Sequence, residues 1–228
     1  KFFQNHGLFK FKERPQWYTV KNRSRTYVKK ILEKISGEYF KNYNINKVER
    51  KTNGVRVFYG DDNEFFDYDK VVFATHADQT ISIIKNPSDE EKNLLTKFNY
   101  KKNIALIHTD EKVMPLNKKA WSSWNSSINS SNLKESSITY WLNLLQNLNV
   151  RKNIFLTLNP FFQVDKDKII KKIEFTHPYY NQEALSFQKN LSNIQNKKNI
   201  LFCGSYFGYG FHEDGIKSSI DMLKFLDD

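Results

Sequence analysis

The chain has 228 residues, 39% of them hydrophobic and 15% aromatic, with a formal net charge of +11 and one cysteine, Cys203. That is enough apolar material for one large domain or two small ones, and a lone cysteine excludes an intramolecular disulfide. No run approaches the roughly 18 apolar residues needed to span a bilayer and no signal peptide is visible, so a cytoplasmic protein is expected, soluble or peripheral at the inner membrane surface.

The charge raises the question of nucleic acid. Its lysines are dispersed, in pairs such as Lys29-Lys30, Lys101-Lys102, Lys118-Lys119, Lys171-Lys172 and Lys197-Lys198, without an RNA-binding aromatic signature or zinc-ligand spacing. A solvated lysine-rich surface is therefore preferred, and no nucleic acid partner is expected. Basic pairs beside apolar segments also suit anionic lipid headgroups.

In chain order, residues 1–20 are aromatic and basic. A helix is predicted over 22–35, with Tyr27, Val28, Ile31, Leu32 and Ile35 at helical spacing and Ser24 as its cap. Strands follow at about 39–48, 55–59 and 70–74, with Asn53-Gly54 a hairpin turn and Gly60-Asp61-Asp62 a second turn. A helix over 89–98, a strand over 104–108 and a tryptophan loop come next. Strands at 138–142, 154–158 and 171–176 then build a further sheet, and a helix over 182–193 leads to a buried strand at 199–203. A glycine-spaced aromatic loop follows, then a helix opened by Glu213-Asp214 with Ile216, Ile220, Leu223 and Leu226 on one face.

Glycines 204, 208, 210 and 215 let backbone lie against a flat ligand where a β-carbon would clash, and the helix start aims unpaired N–H groups at it. Tyr206, Phe207, Tyr209 and Phe211 either wall such a site or fill core. His76, just past a strand end, is either a base or substrate contact or a satisfied structural residue. His6, His108 and His177 lack metal-like spacing, and no metal is expected. Cys203 suits buried packing, while Trp121 and Trp124 either line a channel or cap a sheet.

The stretch from Phe202 to Ser219 resembles the C-terminal flavin-contacting motif of the flavin-containing amine oxidase superfamily, which includes phytoene desaturases and protoporphyrinogen oxidases. A narrower likeness, to bacterial predicted FAD-dependent oxidoreductases, rests on Asn5-His6-Gly7-Leu8, Pro15-Gln16-Trp17, Ser24-Arg25 and Ala74-Thr75-His76-Ala77-Asp78-Gln79. It continues through His108-Thr109-Asp110, Met114-Pro115, Ala120-Trp121-Ser122-Ser123-Trp124-Asn125, Thr139-Tyr140-Trp141-Leu142-Asn143, Thr157-Leu158-Asn159-Pro160 and His177-Pro178.

The resemblance implies an α/β, amine-oxidase-like FAD/NAD(P)-binding fold interleaved with a mixed-sheet substrate domain. Segments 1–20 and 81–180 would form the substrate domain, and 21–80 and 181–228 the FAD-binding domain. It implies FAD, contacted by Ile45, Ala74, Gly204, Ser205, Gly210, Glu213, Asp214 and Gly215, chiefly through backbone N–H groups at 213–215. No catalytic residue is identified; His76, Tyr209 and Phe211 are the candidates for a catalytic role. The superfamily's Gly-x-Gly-x-x-Gly turn is absent from the sequence. The chain is therefore expected to be a C-terminal part needing a dinucleotide-binding half, in one chain or as a separate polypeptide, and to act on a small-molecule or lipid-like substrate. Members usually carry Gly-Gly where this chain has Asn22-Arg23, and an acidic residue near Ser205. A truncated, non-catalytic interaction or lipid-surface module is the alternative.

Overall fold

The computed structural model describes Lys12, Gln16 and residues 18–61 and 64–226. Asn5-His6-Gly7-Leu8, and Pro15 and Trp17 of the following motif, lie outside the described residues. The chain divides into two compact units, Lys1–Lys41 and Asn42–Asp228.

Among the described residues of the first unit, the regular element is α1 (Ser24–Leu32), shorter than the expected helix. Asn22 and Arg23 precede it with φ of 62° and 68°, and a helix cannot run through residues in that conformation. Ser24 is thus the first helical residue rather than the cap, and its place before the helix is taken by Arg23, which makes no side-chain cap bond. At φ 68° and ψ −177°, Arg23 holds a conformation that glycine adopts freely and other residues adopt only under strain.

The second unit opens with β1 (Ile45–Lys51), β2 (Gly54–Tyr59), β3 (Glu64–Tyr68), β4 (Val71–Phe73), α2 (Ala77–Ile83) and α3 (Asp89–Leu95). β5 (Asn99–His108), β6 (Trp124–Asn129), β7 (Asn132–Trp141), the short α4 (Leu142–Leu145), β8 (Phe155–Leu158) and β9 (Ile169–Tyr179) follow. α5 (Gln182–Phe187), a 3-10 segment Gln188–Ile194, β10 (Ile200–Phe202), a 3-10 turn Ser205–Phe207 and α6 (His212–Leu223) end the described chain. The expected 182–193 helix therefore tightens to 3-10 geometry halfway. The tryptophan loop contains a strand, β6, paired with β7 through Trp124 opposite Tyr140.

Among the described residues three sheets form: the antiparallel meander β1-β2-β3, the antiparallel five-stranded sheet β6-β7-β8-β5-β9, and the parallel pair β10-β4. The Asn53-Gly54 hairpin forms, with Lys51 opposite Gly54. Gly54 is required there, because a β-carbon would run into the carbonyl of Tyr68 on β3. β3 itself escaped the sequence pattern because every one of its residues is exposed, so no alternation marks it.

The main core gathers Val48 and Val55 of the meander, Phe73, Ala77, Ile84, Leu94, Leu95, Phe98, Leu191, Ile194, Phe202 and Tyr206. α3 is fixed at its start by a reciprocal cap: Ser88 Oγ accepts from the Glu91 N–H (3.2 Å), and Glu91 Oε2 accepts from the Ser88 N–H (2.7 Å). The same fully buried Glu91 carboxylate pairs with Arg50, tying the helix to β1. A second cluster, Leu201, Cys203 and Met222, seats α6 on β10, so Cys203 is a packed core residue.

The five-stranded sheet carries a buried polar row. His108 Nδ1 accepts from the Asp110 N–H (3.1 Å), which leaves the ring proton on Nε2. Nε2–H then donates to Thr157 Oγ1 (2.8 Å), whose hydroxyl is 2.9 Å from Thr139 Oγ1 on β7. Burial pushes the His108 imidazole below its ordinary pKa, opposed only in part by the Asp110 charge, which favours the protonated ring.

Two outcomes follow. Arg23→Gly is expected to stabilise the chain by about 1 kcal/mol through relief of backbone strain, measured as a higher urea midpoint at unchanged slope. The unfolded chain protonates His108 near the ordinary value of about 6.5 while the folded chain resists, so stability should be full above that pH and fall as pH drops toward the lowered folded value. Urea titrations across that window should show this slope in the wild type and lose it in His108→Gln.

Candidate functional site

β4 and β10 pair in parallel, Val71 opposite Ile200 and Phe73 opposite Phe202, so their carboxyl ends emerge side by side. That is where ligands gather in open α/β sheets. Beyond β4 come Ala74 and Thr75, both exposed; beyond β10 come buried Cys203 and then Gly204. Gly204 has φ 151°, and a β-carbon on it would lie 2.8 Å from the Tyr206 ring and 3.7 Å from the Thr75 carbonyl. The glycine is thus required by its positive φ and by the Tyr206 ring of its own loop, while the Thr75 carbonyl of the neighbouring strand end lies at ordinary contact distance.

The loop after Gly204 is folded back on itself. The Ser205 carbonyl accepts from the N–H groups of Gly208 and Gly210, both at 3.1 Å. Asp214, in the first turn of α6, reaches back so that Oδ2 accepts from the N–H groups of Tyr209 (3.0 Å) and Phe211 (2.9 Å). Gly208 makes room for that carboxylate, since a β-carbon there would overlap it. Gln188 donates from Nε2 to the carbonyls of Tyr206 (2.9 Å) and Gly208 (2.6 Å). The Asp214 side chain thus shapes the loop instead of facing outward as a free acid, and Glu213 is exposed.

At the helix start, Ser218 Oγ accepts from the Gly204 N–H (2.9 Å) and donates to the Gly215 carbonyl (2.7 Å). The Gly204 amide is therefore consumed within the protein. Helix geometry leaves the amides of Glu213 and Asp214 without an acceptor inside α6. Gly215 lies over the loop, where a β-carbon would come 4.0 Å from the Ser205 nitrogen. Ala74, Gly204, Ser205, Gly210, Glu213, Asp214 and Gly215 are thus drawn together by the strand ends, the loop and the first turn of α6.

Ile45 stands apart. It begins β1 opposite Tyr59, and the described contacts join it to the meander; Val48 is the residue that meets the core, bridging Ile84. His76 is half-buried before α2, its ring stacked on Tyr100 of β5 at 4.4 Å and 17°, with Nδ1 3.4 Å from Thr176 Oγ1 of β9. It joins the end of β4 to the five-stranded sheet. Of the four loop aromatics, Tyr206 belongs to the core, its ring tilted against those of Phe98 and Phe207, whereas Tyr209 and Phe211 are exposed.

Two tyrosines missed in sequence belong to this region. Tyr180 hangs over Gly210, where a β-carbon would lie 2.9 Å from its hydroxyl, and that hydroxyl donates weakly to the Ser205 carbonyl (3.4 Å). Tyr100 accepts from the Ala77 N–H (2.9 Å). Burial pushes both phenols up to about 12. Neither lies near a motif with a periodicity of its own; only the return of β9 to the glycine loop places Tyr180. The buried Tyr206 hydroxyl has no hydrogen-bond partner among the described residues. A cleft of about 530 Å³ lies between α6 and Gln188–Ile194, lined in part by Tyr209, Asp214 and Lys217, but Ala74, Gly204 and Ser205 are not in its wall.

Trp121 packs edge-on against Trp141 and Phe155 and donates from Nε1 to the Pro115 carbonyl (2.7 Å), while Trp124 is exposed beside Tyr140. Among the described residues no group of three or more His, Cys, Asp or Glu side chains could hold a metal ion.

No family model matches this sequence, and no curated protein matches it. Solved structures do. A CLA-producing fatty acid isomerase from P. acnes matches at 12% identity and TM-score 0.62, over 88% of this chain and 51% of that one. A putrescine oxidase bound to putrescine matches at 9% identity and TM-score 0.61, over 91% and 53%. A candidate protoporphyrinogen oxidase from Exiguobacterium sp. 255-15 matches at 10% identity and TM-score 0.63, over 99% and 57%. The chain thus spans about half the length of the structures it matches. At these identities the likeness is one of fold: α/β, amine-oxidase-like, in partial form.

Asp214→Ala removes an ionised acceptor from two loop amides and is expected to cost about 2 kcal/mol of stability, with faster amide exchange at Tyr209 and Phe211. Gly208→Ala should cost a similar amount by displacing the same carboxylate. A stability change near zero in both would refute the role given to Asp214.

Proposed function

We propose that the chain is the C-terminal part of an FAD-dependent oxidoreductase of amine oxidase type, acting on a C–N or C–C bond. The observation that carries this reading is the convergence of two parallel strand ends, a glycine loop and the first turn of α6 on one place. The parts present suit the flavin end of the cofactor. Ala74 and Thr75 leave the strand end open, the glycines let a flat ring approach backbone, and the amides of Glu213 and Asp214 suit an electron-rich ring edge. Ser205 would offer a hydroxyl where the resembled group carries an acid. When bound, FAD supplies the redox chemistry; the protein supplies orientation, apolar walls and electrostatics. Tyr180 and exposed Tyr209 and Phe211 would then stand before the ring, and His76 would orient through Tyr100 rather than act as a base.

The pyrophosphate end lacks a cradle, and the sheet supports a complementing half. β10 is closed on its outer edge: Gln195 imitates a strand, donating to the Phe202 carbonyl (2.7 Å) and accepting from the Phe202 N–H (2.9 Å). β4 has no strand on its other edge among the described residues, its Val71 and Phe73 backbone groups face β10, and Val72 is 41% exposed. On α6, Ile216, Ile220 and Leu223 form an exposed apolar stripe, while the buried face is Ser218 and Met222. An open strand edge and an uncovered helix face in one unit suit a strand–helix neighbour carrying the missing phosphate site. The non-catalytic alternative draws on Asn22-Arg23, where glycine geometry is kept without glycine.

The test is flavin fluorescence and visible absorbance of the chain alone and with the dinucleotide-binding half of a longer homologue. Retention of FAD only in the reconstituted sample, lost in Gly204→Val, is the expected result. A folded mixture that retains no FAD would remove the enzyme reading and favour the interaction module.

A further inference from the structure

The cleft of about 530 Å³ between α6 and Gln188–Ile194 is a separate feature from the strand ends. Its wall is drawn from residues 188–225, and Ile216, Ile220 and Leu223, the stripe of α6 left for a neighbour, are not in it. One wall residue is Gln195, whose side chain already closes the outer edge of β10. The cleft therefore lies on the finished side of the sheet, and its opening is not the place of the strand that β4 lacks.

Its floor is apolar and its rim is charged. Leu191 and Met222 are buried, and half-buried Phe207 and Phe225 join them in the wall. Both wall carboxylates are engaged: Asp214 accepts from the N–H groups of Tyr209 and Phe211, and Asp221 pairs with Lys224 (2.6 Å). The two wall cations are not. Lys189 and Lys217 are exposed and make no ion pair or side-chain hydrogen bond among the described residues, although Lys217 pulls on the Asp221 carboxyl through space. Unmatched cations above an apolar floor suit an anion with an apolar body. Two carboxylates in the same wall, and loop amides already given to Asp214, disfavour a compact dianion such as phosphate.

We propose that this cleft binds a small organic monocarboxylate, its apolar body over Leu191, Met222 and Phe225 and its charge beside Lys189 and Lys217. The volume is that of an ordinary small-molecule site. The assignment does not depend on the flavoenzyme reading, since Ala74, Gly204 and Ser205 lie outside the wall.

The experiment is a titration of the whole chain with 1-naphthoate, followed by the amide chemical shifts of Leu191, Gln195, Gly208 and Met222, with uncharged 1-naphthalenemethanol as the control. Saturable shifts with the acid, and far weaker ones with the alcohol, are expected. Lys189→Ala with Lys217→Ala should weaken binding by about tenfold, a few-fold for each exposed cation removed. Ser192 is an exposed wall residue, so Ser192→Trp should fill the cleft and abolish binding while the far-ultraviolet spectrum stays unchanged. Absence of saturable shifts would overturn the proposal. So would equal binding of the alcohol, which would leave the cations no part, or binding that Ser192→Trp leaves intact, which would put the ligand elsewhere. Displacement of the naphthoate by an equal concentration of inorganic phosphate would overturn the ligand class and reduce the site to a general anion contact.

Discussion

The second unit depends on a parallel pairing of three residues with three. Val71–Phe73 and Ile200–Phe202 lie far apart in sequence, and the whole five-stranded sheet is inserted between them. Backbone hydrogen bonds alone could not pay the loop-closure entropy of such a contact. It is held from below, where Phe73 and Phe202 stack at 5.8 Å in a core that also takes Phe98, Leu95, Ile194 and Tyr206. The site follows from this pairing, since the open end of β4 and the glycine loop meet only because the strands do.

Around that pair the polar side chains act mainly on backbone. Gln195 satisfies the outer edge of β10, Ser218 takes the amide of Gly204, Gln188 holds two loop carbonyls, and Asp214 holds two loop amides. A glycine-rich loop loses much conformational freedom on ordering, and each of these bonds offsets part of that cost. The arrangement explains why no acid–base pair was visible in the motif. The Asp214 carboxylate is occupied with shape, and exposed Glu213 and His212 stand at the helix start beside amides, a strand end and aromatic rings.

Legibility in sequence followed the physics of each element. The Asn53-Gly54 hairpin, β8, β10 and α6 were readable because a turn requirement or an apolar run marks them locally. α2 was not, because it buries only Ala77 and Thr80 and carries no stripe; β3 was not, because none of its residues is buried. The loop glycines were readable as a group, but their reasons were not. Gly208 answers to Asp214, Gly210 to Tyr180 and Gly204 to the Tyr206 ring, all contacts between side chain and backbone that no spacing rule contains. Tyr180 and Tyr100 could be assigned to the site only after the end of β9 and the start of β5 were seen to lie beside it.

The asymmetry of edge protection carries a further consequence. Exposed strand edges invite pairing with any extended chain, and proteins commonly blunt them. Here the edge of β10 is blunted by an amide side chain with near-backbone geometry, while the edge of β4 carries no proline, lysine or bulge over Val71–Phe73. A sheet protected at one edge and left plain at the other can grow in one direction only. The direction is toward β4, whose carboxyl end bears Ala74 and Thr75, so a strand added there parallel to β4 would bring the loop that follows it to the same place as the glycine loop. The edge that is open for pairing is thus also the edge from which a second set of backbone amides could reach the glycine loop and the first turn of α6.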